Sequence, residues 1–186
     1  AASDVYKRQL EKQKTFSKLL EDKKGIKQPS DIYNVPYSFI LGLNSELYEI
    51  VNAAKMHKSY SKEKIDREHV IEECADLLSW IGNTANFLEI KLIAEVQEMQ
   101  ITAPEVIVVS LNDKINRLTW NKRTARYTLT GKILPLFTEL IYSLGFDLND
   151  LEEAYHKKMD KNILELEQGI WTVSYTHLTL PTNREV

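Results

Sequence analysis

Two short acidic motifs carry most of the chemical information in this chain: Glu46-Leu47-Tyr48-Glu49 and Glu73-Cys74-Ala75-Asp76. Residues three apart on a helix share a face, so each motif points two carboxylates the same way. Both motifs interrupt stretches with the apolar spacing of a packed helix. Phe39, Ile40, Leu43, Leu47 and Ile50 surround the first, and Val70, Leu77, Leu78 and Ile81 the second. Four carboxylates facing one another would repel and lose hydration unless a cation sat between them. Oxygen-only ligands select a hard cation, Mg²⁺ first and Mn²⁺ second, and such an ion usually keeps waters and binds substrate phosphates. The expected metal ligands are Glu46, Glu49, Glu73 and Asp76.

The elements that must position these groups read as helices throughout. Leu10, Phe16, Leu19 and Leu20 mark a first helix over about 10–24, stopped by Gly25. Pro36 suits the first turn of a second helix, which carries the first acidic motif and runs to about Lys58. Asp66 caps a third, which carries the second motif to about Ile90. The β-branched run Val106 to Val109 could stand as a strand in isolation, but Glu105, Leu111, Ile115 and Leu118 around it favour a helix. Ala125 to Leu144 reads as a further helix, with Gly131 and Pro135 as breaks or kinks. Asn149 or Asp150 starts a last helix to about Gln168. Nothing reads as a hairpin, a βαβ unit or a glycine-rich phosphate loop. The fold class is all-α, a bundle of about five to six helices.

Composition narrows the function classes. With 186 residues and 43% hydrophobic content, the chain fits one domain with a substantial core. A net charge of −3 argues against a nucleic-acid surface but not against nucleotides. The single cysteine, Cys74, excludes an internal disulfide framework and reads as a small buried apolar residue. No apolar run approaches the roughly 20 residues of a membrane span, and no signal-peptide pattern is present, so a cytoplasmic location is expected. Residues 1–9 and 173–186 have the character of translated sequencing adapters, and the domain is expected to occupy residues 10–171.

Further motifs stand in a fixed order around the acidic pairs. Asn52 and then Lys55-Met56-His57-Lys58-Ser59-Tyr60 follow the first pair. The second sits in Glu72-Glu73-Cys74-Ala75-Asp76-Leu77-Leu78-Ser79-Trp80, and the last helix carries Tyr155-His156-Lys157-Lys158-Met159-Asp160-Lys161-Asn162, followed by Gly169. This order resembles the all-α nucleotide pyrophosphatase superfamily, which includes MazG-like enzymes, and is most similar to its dimeric dUTP diphosphatase branch. The resemblance covers residues 10 to 171. Ser59 stands where an aromatic is usual, Met159 where an asparagine is common, and Glu165-Leu166 where an Arg-Gln pair is common. The last two departures lie near the nucleotide end of the motif and leave base choice open.

The resemblance implies a homodimeric, Mg²⁺-dependent enzyme that converts dUTP and water to dUMP and pyrophosphate. Bound metal would bridge the triphosphate and neutralise developing charge. Glu49 is the favoured group to take a proton from the attacking water. Lys58, Lys158 and Lys55 would bind phosphate oxygens as point charges, and Asn162 would offer a donor and an acceptor. Trp80 and Asn83 follow Asp76 on one helical side and form a candidate base-binding set. A dCTP-directed or broader pyrophosphatase is the nearest alternative. A di-iron carboxylate bundle would need two Glu-x-x-His pairs, and the chain offers only Glu153/His156 and Asp66/His69. A helical interaction module with a structural cation is the non-enzymatic alternative. No nucleic-acid or membrane partner is expected.

Overall fold

The computed structural model describes residues 2–26, 35–57, 64–92, 102–119 and 121–170. Among these the regular elements are all helical: α1 (Ala2–Lys24), α2 (Tyr37–Ala53), α3 (Arg67–Leu88), α4 (Pro104–Asn116), α5 (Lys122–Thr128), α6 (Leu134–Ser143) and α7 (Leu148–Glu167). A 3₁₀ turn follows α4, and a π-helical segment, Leu129–Ile133, joins α5 to α6. None of these helices is long and apolar enough to cross a membrane.

Helix α3 is the central element. Its buried side chains, among them Ile71, Cys74, Leu78, Ile81 and Leu88, go round most of its circumference, as expected of a helix packed on several sides. It contacts α2, α1 and α7, while α4 packs on α2 and α6. Helix α2 buries only the stripe Phe39, Ile40, Leu43, Leu47, Ile50 and Ala53. The register between α2 and α3 can be followed rung by rung. Phe39 meets Phe87, Gly42 meets Trp80, Glu46 meets Asp76, and Ala53 shares a cluster with Val70. Numbers rising on one helix as they fall on the other mean that the two run antiparallel, which brings the acidic motifs to the same level.

Helix ends differ from the sequence expectation where the backbone turns left-handed. Helix α2 stops at Ala53, short of Lys58, because Lys55 takes φ 53°. The Met56 N–H reaches back to the Val51 carbonyl at 3.0 Å, and Lys55 N–H to Asn52 at 3.1 Å, the paired bonds of a Schellman stop. Helix α3 ends the same way at Glu89, φ 56°, close to the expected end. Helix α7 starts at Leu148, one or two residues early, because Asp147 caps it in a box with Asp150. The expected kink at Pro135 is a π segment just upstream. Proline lacks the N–H that would bond four residues back to Gly131, and its ring crowds that carbonyl, so the ladder widens locally. The first helix begins at Ala2, well before the expected start near residue 10. Within that added stretch the Tyr6 ring is fully buried, its hydroxyl 2.8 Å from Thr138 Oγ1, and Arg8 pairs with Glu152 at 2.6 Å. The segment 173–186 lies outside the described residues.

A polar seam ties α1 to its neighbours. The buried Tyr155 hydroxyl on α7 donates towards the Gln9 carbonyl and Gln13 Oε1, each at 3.0 Å. Gln13 Nε2 donates to Asn83 Oδ1 on α3 at 3.0 Å, and Ser17 Oγ donates to the same oxygen at 3.2 Å. Tyr155→Phe removes the donor and leaves Gln13 Oε1 without this bond in a buried place, so it should lower unfolding free energy by about 1–3 kcal/mol. Urea melts followed by circular dichroism would check this, and a shift of under a few tenths of a kcal/mol would remove the seam from the stability account.

Candidate active site

The antiparallel pairing of α2 and α3 brings three of the four acidic side chains into one cluster. One carboxylate oxygen from each of Glu46, Glu73 and Asp76 lies within 4.8 Å of the other two. Glu49, one turn after Glu46 on α2, stands outside this triple. It is still near enough for its charge to push the Glu73 carboxyl upward. Lys158, on α7, forms an ion pair and hydrogen bond with Asp76. Helix α7 lies against α3, and this packing places an ammonium from a distant part of the chain at the edge of the cluster.

The electrostatics follow from burial and crowding. Glu46 is pushed up to about 7 from an ordinary value of 4.5, first by burial and then by the Asp76 and Glu73 carboxylates, against the opposing pull of Lys158. Glu73 is raised by burial and by Asp76, with Lys158 and His69 opposing. His69 Nδ1 stands 3.4 Å from Glu73 Oε1. Asp76 is also raised. Burial outweighs its ion pair with Lys158. One ammonium therefore neutralises only part of the cluster. Three converging carboxylates with a residual excess of negative charge are a donor set for a hard cation, because all three offer oxygen and none offers nitrogen or sulfur.

The other expected site residues are placed as follows. Asn162 is half-buried on α7, one turn beyond Lys158. Lys55 lies just past the end of α2, and its Nζ donates to the Lys64 carbonyl at 3.3 Å. Lys58 lies outside the described residues. Asn83 faces α1 and accepts from Gln13 and Ser17. Trp80 is half-buried between α2 and α3, with its ring edge-on to Phe39 at 6.1 Å. Two participants escaped the sequence reading. Gly42 lies under the Trp80 ring. Its signal was a glycine inside an apolar helix, which is unfavourable by about 1 kcal/mol relative to alanine and so points to close approach. Gln13 carries no signal of its own, since a glutamine on a lysine-rich helix looks solvated.

Of the two histidine pairs that the chain offers an iron bundle, only His69 reaches the edge of this cluster, through Glu73. Asp66 caps α3, accepting from the Glu68 and His69 backbone N–H groups at 3.1 and 3.3 Å. His156 Nδ1 faces Lys12 Nζ at 3.1 Å.

The raised carboxyls fix the sign of the pH dependence. Glu46 binds its proton more tightly folded than unfolded. Its contribution to stability is therefore full below pH 4.5 and lost as pH rises through about 7. Chelator-treated protein should lose thermal stability across that interval, and Glu46→Gln should flatten the fall. Differential scanning fluorimetry across the interval, on both proteins, checks this. Parallel curves would show that Glu46 titrates normally.

Comparison with known proteins adds an independent finding. The sequence profile described as dUTPase matches residues 6–169, nearly the whole chain. Neither the curated proteins nor the solved structures compared with the chain gave a match. An all-α bundle, the acidic cluster between its second and third helices and a profile match of this length together place the chain in the all-α dUTPase family of nucleotide pyrophosphohydrolases.

Proposed function

We propose that this protein is a Mg²⁺-dependent pyrophosphohydrolase that converts dUTP and water to dUMP and pyrophosphate. The observation that carries the reading is the convergence of Glu46, Glu73 and Asp76 beside the Lys158 ammonium, in a chain of the dUTPase family.

The roles follow from position and charge. Glu46, Glu73 and Asp76, with Glu49 at their edge, hold the cation. When bound, it polarises phosphoryl oxygens and offsets the charge that builds on them. Glu49 is the proton acceptor for the attacking water, since it lies beside the cluster without belonging to the triple. Water oxygen adds to phosphorus, the bridging P–O bond breaks, and the electron pair and charge leave on pyrophosphate. Lys158 meets phosphate oxygens from the α7 side, with Lys55 and Lys58 on the side of the α2 end. Asn162, one turn beyond Lys158 on α7, is the group this reading assigns to the nucleotide, since Asn83 and Trp80 are engaged by α1 and α2.

Two copies form the working unit in this reading. Tyr37, Leu41 and Tyr48 on α2 and Val109 on α4 are all at least half exposed, and apolar side chains so presented suit a two-fold contact.

The deciding experiment is a product assay over the common NTPs and dNTPs, with Mg²⁺ and with EDTA, separating monophosphate from pyrophosphate. The expected result is EDTA-sensitive formation of dUMP and pyrophosphate from dUTP. Prior turnover of dCTP would reassign the substrate, and no pyrophosphate from any nucleotide would leave an interaction module. Alanine at Glu46, Glu49, Glu73 or Asp76 should lower kcat by more than about a hundredfold with helicity kept. Lys158→Ala should raise KM about tenfold, equivalent to about 1.4 kcal/mol of phosphate binding, and an unchanged KM would take Lys158 out of the phosphate contacts.

A further inference from the structure

Three lysines stand close together on α7, and the fold gives each a different acid. Lys157 meets Glu68 at 2.7 Å and Glu72 at 3.9 Å on the first turns of α3, and Lys161 meets Glu165 at 4.0 Å on its own helix. Among the described residues only Lys158 of the three reaches the acidic cluster, through Asp76. The surroundings differ as well. The Lys157 and Glu68 side chains are 66% and 71% exposed, where water and salt screen their attraction. The Lys158 and Asp76 side chains are only 33% and 26% exposed, so their charges act with less screening. Glu46 and Glu73 feel the same ammonium. Its charge opposes the upward push of burial and crowding on all three carboxyls. Lys158 is thus a counter-ion shared by the whole cluster. Its seat still allows movement. The buried stripe Leu151, Ala154, Tyr155 and Met159 holds the α7 backbone beside it, but its own stem is four flexible carbons. An ammonium has three donors, and Asp76 is its one hydrogen-bond partner among the described residues. An anion arriving from the exposed side finds donors to spare.

We infer that Lys158 couples the two ligands of this site: its ammonium competes with a divalent cation for the acidic cluster, and a nucleotide phosphate that draws it off Asp76 strengthens cation binding. This rests on the metal-site reading above, and it gives Lys158 a second role beside its phosphate contact. The competition follows from charge. A cation that enters the cluster is repelled by an ammonium already paired with one of its carboxylates. Phosphate relieves that repulsion by taking the ammonium for itself. By linkage the cation must favour phosphate binding by the same factor, and couplings of this kind typically amount to about 5–150-fold. The arrangement also serves the fold, since the three carboxylates keep one positive partner before either ligand arrives.

The test is Mn²⁺ titration of the full chain by electron paramagnetic resonance, without nucleotide and with saturating dUMP, with melting temperatures in chelator and in Mn²⁺ measured alongside. Lys158→Met keeps most of the stem and loses the charge. Without nucleotide it should bind Mn²⁺ about tenfold more tightly than the unaltered protein. It should also melt lower in chelator and gain more from Mn²⁺. Lys158→Gln carries the same expectation should the methionine variant not fold. Lys158→Arg keeps the charge and should stay close to the unaltered affinity, and Lys157→Met, which removes a neighbouring charge from the same helix, should leave that affinity unchanged. Saturating dUMP should tighten Mn²⁺ binding by the unaltered protein, and this gain should shrink in Lys158→Met. A lysine with a merely structural role would lower the melting temperature without tightening Mn²⁺ binding. Unchanged or weakened Mn²⁺ affinity in Lys158→Met would therefore overturn the inference, and so would an equal gain from dUMP in both proteins. In either case, Mn²⁺ binding by the unaltered protein that is lost in Glu73→Ala would leave the metal-site reading standing. No Mn²⁺ binding by the unaltered protein would overturn that reading and this inference together.

Discussion

Mutual repulsion of carboxylates is the constraint on which the rest of this structure depends. Glu46, Glu73 and Asp76 are brought within 4.8 Å of one another in a half-buried place, where each loses hydration and Glu46 is raised further by both of the others. Ordinary packing would not assemble such a group, since unpaired buried charge is among the most expensive features a fold can hold. It persists because the surrounding apolar contacts leave the helices no other register. Phe39 on Phe87, Gly42 under Trp80 and the Ala53–Val70 cluster bracket the acidic rung from both ends. A one-residue slip would turn Leu43, Leu47 and Ile50 away from α3. The core thus holds the acids together against their own field, and a site under tension of this kind has strong affinity for positive charge.

Lys158 shows how the fold moderates that tension without removing it. Its ammonium comes from α7, far along the chain, and reaches Asp76 because α7 packs against α3. A single lysine against three carboxylates leaves the balance negative, which fits the upward displacement of all three. A second lysine in reach would leave a single negative charge and weaken the attraction of the cluster for a divalent ion. The incomplete neutralisation fits the proposed reading, in which the site takes a cation and a polyanionic substrate together.

How much of this was legible beforehand depends on the range of the interaction. The acidic pairs were readable because i, i+3 spacing on a helix is local and the apolar stripe identifies the helix. The all-α class and most helix starts were readable for the same reason, since caps such as Asp66 and breakers such as Pro135 act over a few residues. The early end of α2 was not, because Lys55 adopts φ 53° and lysine carries no marker for that conformation. The departure of Glu49 from the closest cluster was not readable either. Helical spacing says that Glu46 and Glu49 share a face, but the crossing of α2 over α3 decides which of them reaches Asp76.

The same distinction explains Trp80 and Asn83. From the sequence both appear as an aromatic and an amide following Asp76 on one face, a combination that suggests a base-binding wall. In the folded chain they diverge. Asn83 turns to α1, where Gln13 and Ser17 claim its oxygen, and Trp80 turns to α2, where Gly42 makes room for its ring. Neither partner could be inferred from spacing, because each lies on another helix and is chosen by packing. The one trace was Gly42 itself, a residue with no local reason to sit in the middle of an apolar helix. A glycine there weakens the helix by about 1 kcal/mol, and the fold recovers this by seating a large aromatic ring against bare backbone one turn from the acidic cluster. An unexplained local cost, read in this way, marks where two distant segments are required to touch.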